Sequence, residues 1–363
     1  MIPRRSRRLV PLALLGLAAA CDIPSAAPIL QQTWMVPGDS LEMNVSQLLP
    51  PSVGVTGGGT AFLVSVPAPA PFTSTLGALC GQPACQSGGT VNAPIPAFTS
   101  PANALSRTVT LPAESPSATV TSGTLNLQVT NNLGFDPLRP NGNAAAYGSL
   151  AVAITNAAGT TTTTVQGSAQ AIPNGATTLL AIPMPAGSYA TSFSVTVSFT
   201  VPAGQNANLS ASNGISVGAS VSNLTVSQAT VVVANEAVNV SPSAYNLDDV
   251  DLADQVEGGA FLLDFENPFT ASAALNFLIS APAQGGQPAV NLSKPMAVTA
   301  TPTSSVTVAL TKPELQSLVG KQGVTIAVTG TATGTGAGNT VVVTPAQRLK
   351  IRTRVQLLLN IGG

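Results

Sequence analysis

The chain has 363 residues, of which 44% are hydrophobic and only 7% charged, with a formal net charge of −1 and no histidine. A typical soluble protein is about 25% charged, so the polar surface here must come from Ser, Thr, Asn and Gln. This composition supports a sizeable core and excludes generic disorder. Without histidine it also excludes Ser-His-Asp and Cys-His catalysis, the HExxH metalloproteases and most zinc sites.

The chain opens with a basic run, Arg4, Arg5, Arg7 and Arg8, followed by an apolar stretch from Leu9 to Ala20 that meets Cys21. That stretch is well short of the roughly 20 residues a spanning helix needs. It reads as a cleavable signal peptide over residues 1–20. Leu17-Ala18-Ala19-Ala20-Cys21 resembles the bacterial lipobox, which implies that Cys21 is acylated and becomes the mature N-terminus. Removal of the signal takes four of the thirteen cations and leaves an acidic chain. An acidic chain is a poor partner for nucleic acid, because phosphate contacts need a basic excess. Residues 21–33, with Pro24 and Pro28, read as a short tether.

Residues 34–117 form the least regular region. Trp34–Val36, a Pro37-Gly38-Asp39 turn and Ser40–Val45 suggest a hairpin or two bent strands. Phe62–Val66 is a further strand, stopped by Pro67 to Pro71. These strands are expected to form a small cap or to join the first sandwich described below. Cys80-Gly-Gln-Pro-Ala-Cys85 sits in a Gly/Pro-rich loop. Outside the cytoplasm Cys80 and Cys85 pair as a small-loop disulfide, since no histidine or further cysteine exists to complete a zinc tetrahedron.

From residue 118 onward the pattern repeats. Gly123 to Asn131 and Gly259 to Asn267 each run from a glycine through an alternating strand to an asparagine eight residues later. Leu125, Leu127 and Val129 correspond to Phe261, Leu263 and Phe265. Leu150, Val152 and Ile154 correspond to Leu275, Phe277 and Ile279, and Leu180 and Ile182 to Val308 and Leu310. Val195, Val197 and Phe199 match Val324, Ile326 and Val328. Ile215, Val217, Ala219 and Val221 match Leu349, Ile351, Thr353 and Val355. Each set has the period of two expected of a half-buried strand. The fold class is therefore all-β: tandem antiparallel immunoglobulin-like β-sandwiches over 118–232 and 254–363, joined by a connector at 233–253. Helix is scarce, with Lys312–Leu318 the best candidate because Pro313 suits a first helical turn.

The second copy, from Gly259 to Phe269 with its strand running into Asn267-Pro268, resembles the domain of late-embryogenesis-abundant type 2 and water-stress (WHy) proteins. The first copy has Asn131-Asn132 and lacks the proline. The resemblance implies an immunoglobulin-like sandwich and no activity.

Two charge patterns are candidate sites. Half of the acidic residues lie between Asn246 and Asn267. Asp248, Asp249, Asp251 and Asp254 offer hard oxygen ligands for a cation such as Ca2+, although the spacing is not that of an EF-hand. A solvated inter-repeat loop explains the same residues. In the last strand, Arg348, Lys350, Arg352 and Arg354 alternate with apolar residues and so share one face. That face suits anionic lipid headgroups or an acidic partner, or pairing across the sheet with Asp264 or Glu266. The sequence favours a non-catalytic, lipid-anchored envelope protein without a cofactor, bound to the membrane and to an unknown protein partner. The alternative is a carrier that holds a lipid or another hydrophobic ligand in an apolar sandwich cavity.

Overall fold

The computed structural model describes residues 30–142, 146–247 and 254–361. About 61% of the chain is strand and 5% helix. Strands are numbered along the chain. In the first sandwich one sheet has the order β11 (Thr177–Pro183), β8 (Ser117–Asn132), β15 (Gly214–Val232), β3 (Phe62–Val64) and β2 (Val53–Val55). To it β12 (Gly187–Tyr189) adds on β8, while β4 (Phe72–Thr75) and β22 (Thr340–Val343) add on β15. The facing sheet is β10 (Gly159–Gln166), β9 (Ser149–Asn156), β13 (Ser192–Val201) and β6 (Phe98–Thr99), with β7 (Ser106–Thr110) also on β13. A small ribbon pairs β5 (Val91–Pro94) with β14 (Asn206–Leu209).

The second sandwich repeats this plan. One sheet is β20 (Thr303–Leu310), β17 (Val256–Glu266), β23 (Arg348–Ile361) and β1 (Leu30–Asn44). The other is β19 (Val290–Val298), β18 (Ala271–Ala281), β21 (Lys321–Gly334) and β16 (Ala234–Leu247). The orders β11-β8-β15 and β20-β17-β23 coincide, as do β10-β9-β13 and β19-β18-β21. The ladders are antiparallel. Across the second sandwich the rings of Phe261 on β17 and Phe277 on β18 lie 5.0 Å apart.

The alternation read from the sequence decides what is inside. All the residues matched between the two copies are buried except Val221, which is partly buried. A single hydrophobic cluster runs through both sandwiches. The ladder of β22 on β15, Ala229↔Val343 to Val232↔Thr340, stitches the second copy to the first.

The N-terminal segment differs from the sequence reading. It forms neither a hairpin nor a cap. It is one strand, β1, that begins at Leu30 rather than Trp34 and pairs with the last strand, from Leu30↔Ile361 to Asn44↔Arg348. The Pro37-Gly38-Asp39 segment is a register irregularity inside that ladder rather than a turn. The 34–117 region is thus divided: its first strand belongs to the second sandwich, and β2 to β4 belong to the first.

Two short helices complete the chain. α1 (Leu76–Cys80) forms where the Gly/Pro-rich composition predicts loop; Leu76 and Leu79 are buried, and Thr75 caps Ala78 N at 3.3 Å. α2 (Lys312–Gln316) starts with a capping box between Thr311 and Glu314. The disulfide Cys80–Cys85 joins the end of α1 to the following turn. Closing so small a loop restrains the unfolded chain by about 2 kcal/mol. Reduction is therefore expected to lower the urea midpoint modestly without abolishing folding, and Cys80→Ala/Cys85→Ala should match the reduced protein.

Candidate functional site

The outer face of the β1–β23–β17 sheet carries the only dense charge pattern among the described residues. Because β23 alternates strictly, Leu349, Ile351, Thr353 and Val355 turn inward and Arg348, Lys350, Arg352 and Arg354 turn outward. The neighbouring strands bring acids to meet them. From β17, Glu266 lies 2.6 Å from Arg352 and Asp264 lies 2.6 Å from Arg354. From β1, Glu42 lies 3.5 Å from Arg348 and 4.0 Å from Lys350. The expected cross-strand pairing to Asp264 and Glu266 is present. Glu42 was missed, although its place between inward Leu41 and Met43 marked it as outward-facing; its partners depend on a ladder that joins the two ends of the chain.

Four cations thus face three carboxylates. Exposed pairs of this kind contribute little to stability, a median of about 0–1 kcal/mol. Their consequence is compensation: the ladder presents about one net positive charge rather than four, so attraction to an anionic bilayer at about 1 kcal/mol per cation is correspondingly reduced.

The hydroxyl of Ser305, and then the guanidinium of Arg354, hold the Asp264 carboxyl below its ordinary value. Lys294, and then the Thr311 backbone, do the same for Glu314. A depressed carboxylate stabilises the fold above its unfolded-state pKa, and that contribution is lost as pH falls through the native value. The second sandwich is therefore expected to lose thermal stability below about pH 4. Thermal midpoints measured from pH 7 to 2 should show a flatter acid limb for Asp264→Asn/Glu314→Gln than for the parent. Identical limbs would sink the assignment.

The other sequence-derived sites divide in two. Cys21 and the acidic residues Asp248, Asp249 and Asp251 lie outside the described residues; Asp254 is described and exposed. Among the described residues no three His, Cys, Asp or Glu side chains converge as a metal site. One charged side chain there is buried, Lys321, whose ammonium is held by the carbonyl oxygens of Pro282 and Pro288. It pins the 282–288 loop.

The carrier reading needs an apolar cavity of about 300 Å³ or more. The void inside the second sandwich, between Met43, Leu48, Phe269 and Leu349, measures about 20 Å³, room for roughly one water. Larger hollows are open grooves. One of about 810 Å³ lies where the sandwiches meet and is walled by Asn44, Gly58, Gly59, Pro345, Arg348 and Lys350.

The pole of the second sandwich remote from this groove is different in character. There β1 and β23 end together at Leu30↔Ile361. Leu30, Trp34, Met35 and Leu358 are all exposed, between 42% and 56%. No described helix is long and apolar enough to cross a membrane.

No family model matches the chain, and no curated protein matches it. Among solved structures, a putative secreted protein from Parabacteroides distasonis is 11% identical, with a TM-score of 0.29, covering 90% of this chain and 99% of that one. The N-terminal tandem CBM22 domains of Paenibacillus barcinonensis Xyn10C are 9% identical, with a TM-score of 0.18 and coverage of 81% and 98%. A structure of infectious bursal disease virus strain Gx is 9% identical, with a TM-score of 0.21 and coverage of 93% and 74%. At such scores these likenesses carry no functional argument, and the reading of this chain rests on its own residues.

Proposed function

We propose that the protein is a lipid-anchored lipoprotein of the bacterial envelope that works without catalysis, by holding a tandem pair of β-sandwiches at a fixed distance from the membrane for a protein partner. The observation that carries this reading is the course of β1. It enters the fold nine residues after Cys21 and runs the length of the second sandwich, paired to β23 throughout apart from the irregularity at Pro37–Ser40. A tether attached at Cys21 therefore pulls along a strand held by a ladder of hydrogen bonds lying across the direction of pull, which loads them together rather than one by one.

This arrangement reverses chain order in space. The second sandwich sits beside the membrane and the first is displaced by the span of β1, fifteen residues or about 50 Å. The disulfide at Cys80–Cys85 and the signal sequence both support export to an oxidising compartment. The outward sandwich presents the edge strand β10, whose Thr160 to Thr164 side chains are largely exposed. Mass spectrometry of the mature N-terminus tests the anchor. Acyl mass on Cys21, and transfer of Cys21→Ala to the soluble fraction, are expected. A Cys21 peptide without acyl mass refutes it.

A further inference from the structure

Four large apolar side chains at this pole of the second sandwich, Leu30, Trp34, Met35 and Leu358, stay exposed. On the inward side of the ladder Trp34 pairs with Leu357 and Gln32 with Leu359. Leu357 and Leu359 are buried, yet Trp34 is exposed, so the facing sheet covers β23 and stops short of the edge strand. On the outward side Met35 and Leu358 are exposed as well. The ribbon end therefore exposes large apolar side chains on both faces, interleaved on the outward one with Gln31, Thr33, Gln356 and Asn360. It is also uncharged: none of the residues Leu30–Met35 or Gln356–Ile361 is Asp, Glu, Lys or Arg. The charged ladder begins further back, at Arg354, while the ion pair Lys312–Glu257 and the exposed Asp254 flank the tip on the β17 side. Glu257 is level with Leu358 and Leu359, and Asp254 is next to Gln255, whose carbonyl accepts from Asn360 N. A tryptophan with exposed aliphatic neighbours, flanked by charged groups on one side, is the composition of a bilayer-interface contact.

We infer that this pole, centred on Leu30, Trp34 and Leu358, seats in the bilayer interface beside the lipid anchor. The inference rests on the anchor proposed above. Nine residues join Cys21 to Leu30 and span at most about 30 Å, so an acylated Cys21 keeps the pole within reach of the bilayer at high effective concentration. Trp34 fits the interface in detail. Its indole is amphipathic, and its Nε1–H donates to the Oε1 of Gln32 at 3.1 Å, leaving the ring apolar and the donor satisfied.

Trp34 is the single tryptophan of the chain, so its emission reports on this pole alone. With Cys80 and Cys85 paired, Cys21 is also the one free thiol. The mature chain beginning at Cys21 can be coupled through it to maleimide-bearing phosphatidylethanolamine/phosphatidylglycerol vesicles. This makes the test independent of whether the cell acylates Cys21, which the mass measurement decides separately. On coupling, Trp34 emission is expected to shift to the blue, to be quenched by bromine on the acyl chains, and to lose about twofold in acrylamide quenching. Leu30→Ser/Leu358→Ser, with unchanged circular dichroism, should weaken all three responses. Unchanged emission on coupled vesicles overturns the inference while leaving the anchor standing. It is equally overturned if Trp34 is already blue-shifted and shielded in the uncoupled protein; sedimentation velocity then tells a second copy from a segment of the same chain.

Discussion

Asn267→Ala lowers the unfolding free energy of the second sandwich by about 3–5 kcal/mol, and Asn131→Ala lowers that of the first by a similar amount. Both side chains are buried at the end of the strand that opens their copy, Asn131 at 0% and Asn267 at 5% exposure. Each makes the same three hydrogen bonds. Asn131 donates from Nδ2 to the carbonyls of Phe135 at 2.9 Å and Ile172 at 2.7 Å, and its Oδ1 accepts from Leu133 N at 2.9 Å. Asn267 donates to Ala271 O at 3.0 Å and Thr299 O at 3.1 Å, and accepts from Phe269 N at 3.1 Å. The amide thereby ties the strand end to the next loop and to the segment leading into the edge strand β11 or β20. Alanine leaves two carbonyls and one N–H without partners in a site closed to water, each costing about 1–3 kcal/mol. Asparagine alone among similar side chains supplies both donors and the acceptor, so Asn→Asp should recover little. Urea unfolding followed by Trp34 fluorescence reads the second sandwich, to which β1 belongs. Circular dichroism reads both. Asn267→Ala is expected to move the Trp34 transition to lower urea, and Asn131→Ala to move mainly the dichroism. A shift worth less than about 1 kcal/mol in either variant would falsify this role for the amide.

These asparagines show how far the sequence could be read. Their equal distance from Gly123 and Gly259 is visible in the letters, and so is the alternation that buries Leu125, Leu127 and Val129 opposite Phe261, Leu263 and Phe265. Alternation is local, and burial of one face of a strand enforces it. Partner choice is not local. β1 and β23 lie at opposite ends of the chain, and nothing within Leu30–Asn44 names its partner. Pro37-Gly38-Asp39 reads as a turn because the same residue types make turns and bulges. Edge strand β10 is hidden for the opposite reason: Thr160 to Thr164 are all threonine and largely exposed, so no apolar period exists to find. Of the charged face, the pairing of Arg352 and Arg354 with β17 was legible because both strands alternate. Glu42 was not, because its place depends on β1. The acidic run at Asp248, Asp249 and Asp251 lies outside the described residues and stays a sequence expectation.

Gly38→Ala loosens β1 from the second sandwich, at a cost of about 2–4 kcal/mol. The requirement is for space, not for backbone conformation. A Cβ at Gly38 would stand 2.1 Å from Cε2 and 2.2 Å from Oη of Tyr245 on β16. That ring cannot swing aside freely. It is 5% exposed, stacks edge-on to Phe261 at 5.6 Å, and donates its hydroxyl proton to Val36 O at 3.2 Å. The irregularity in β1 is what lets the ring approach, and Thr353 completes the clamp by donating to Asp39 O at 2.8 Å. A methyl group at residue 38 must push out either the ring or the strand. The edge strand yields first, since it has one hydrogen-bonded neighbour and the ring is packed on both sides. Amide exchange should therefore accelerate along Leu30–Asn44 and much less in β17 and β21. Limited proteolysis should therefore cut within β1 and, on the proposed anchoring at Cys21, separate a short N-terminal peptide from the sandwiches. Tyr245→Leu, itself destabilising, should reduce the added cost of Gly38→Ala, and the double-mutant cycle measures that coupling. Additive effects, or unchanged protection of β1 in Gly38→Ala, would show that the contact does not hold β1 in place.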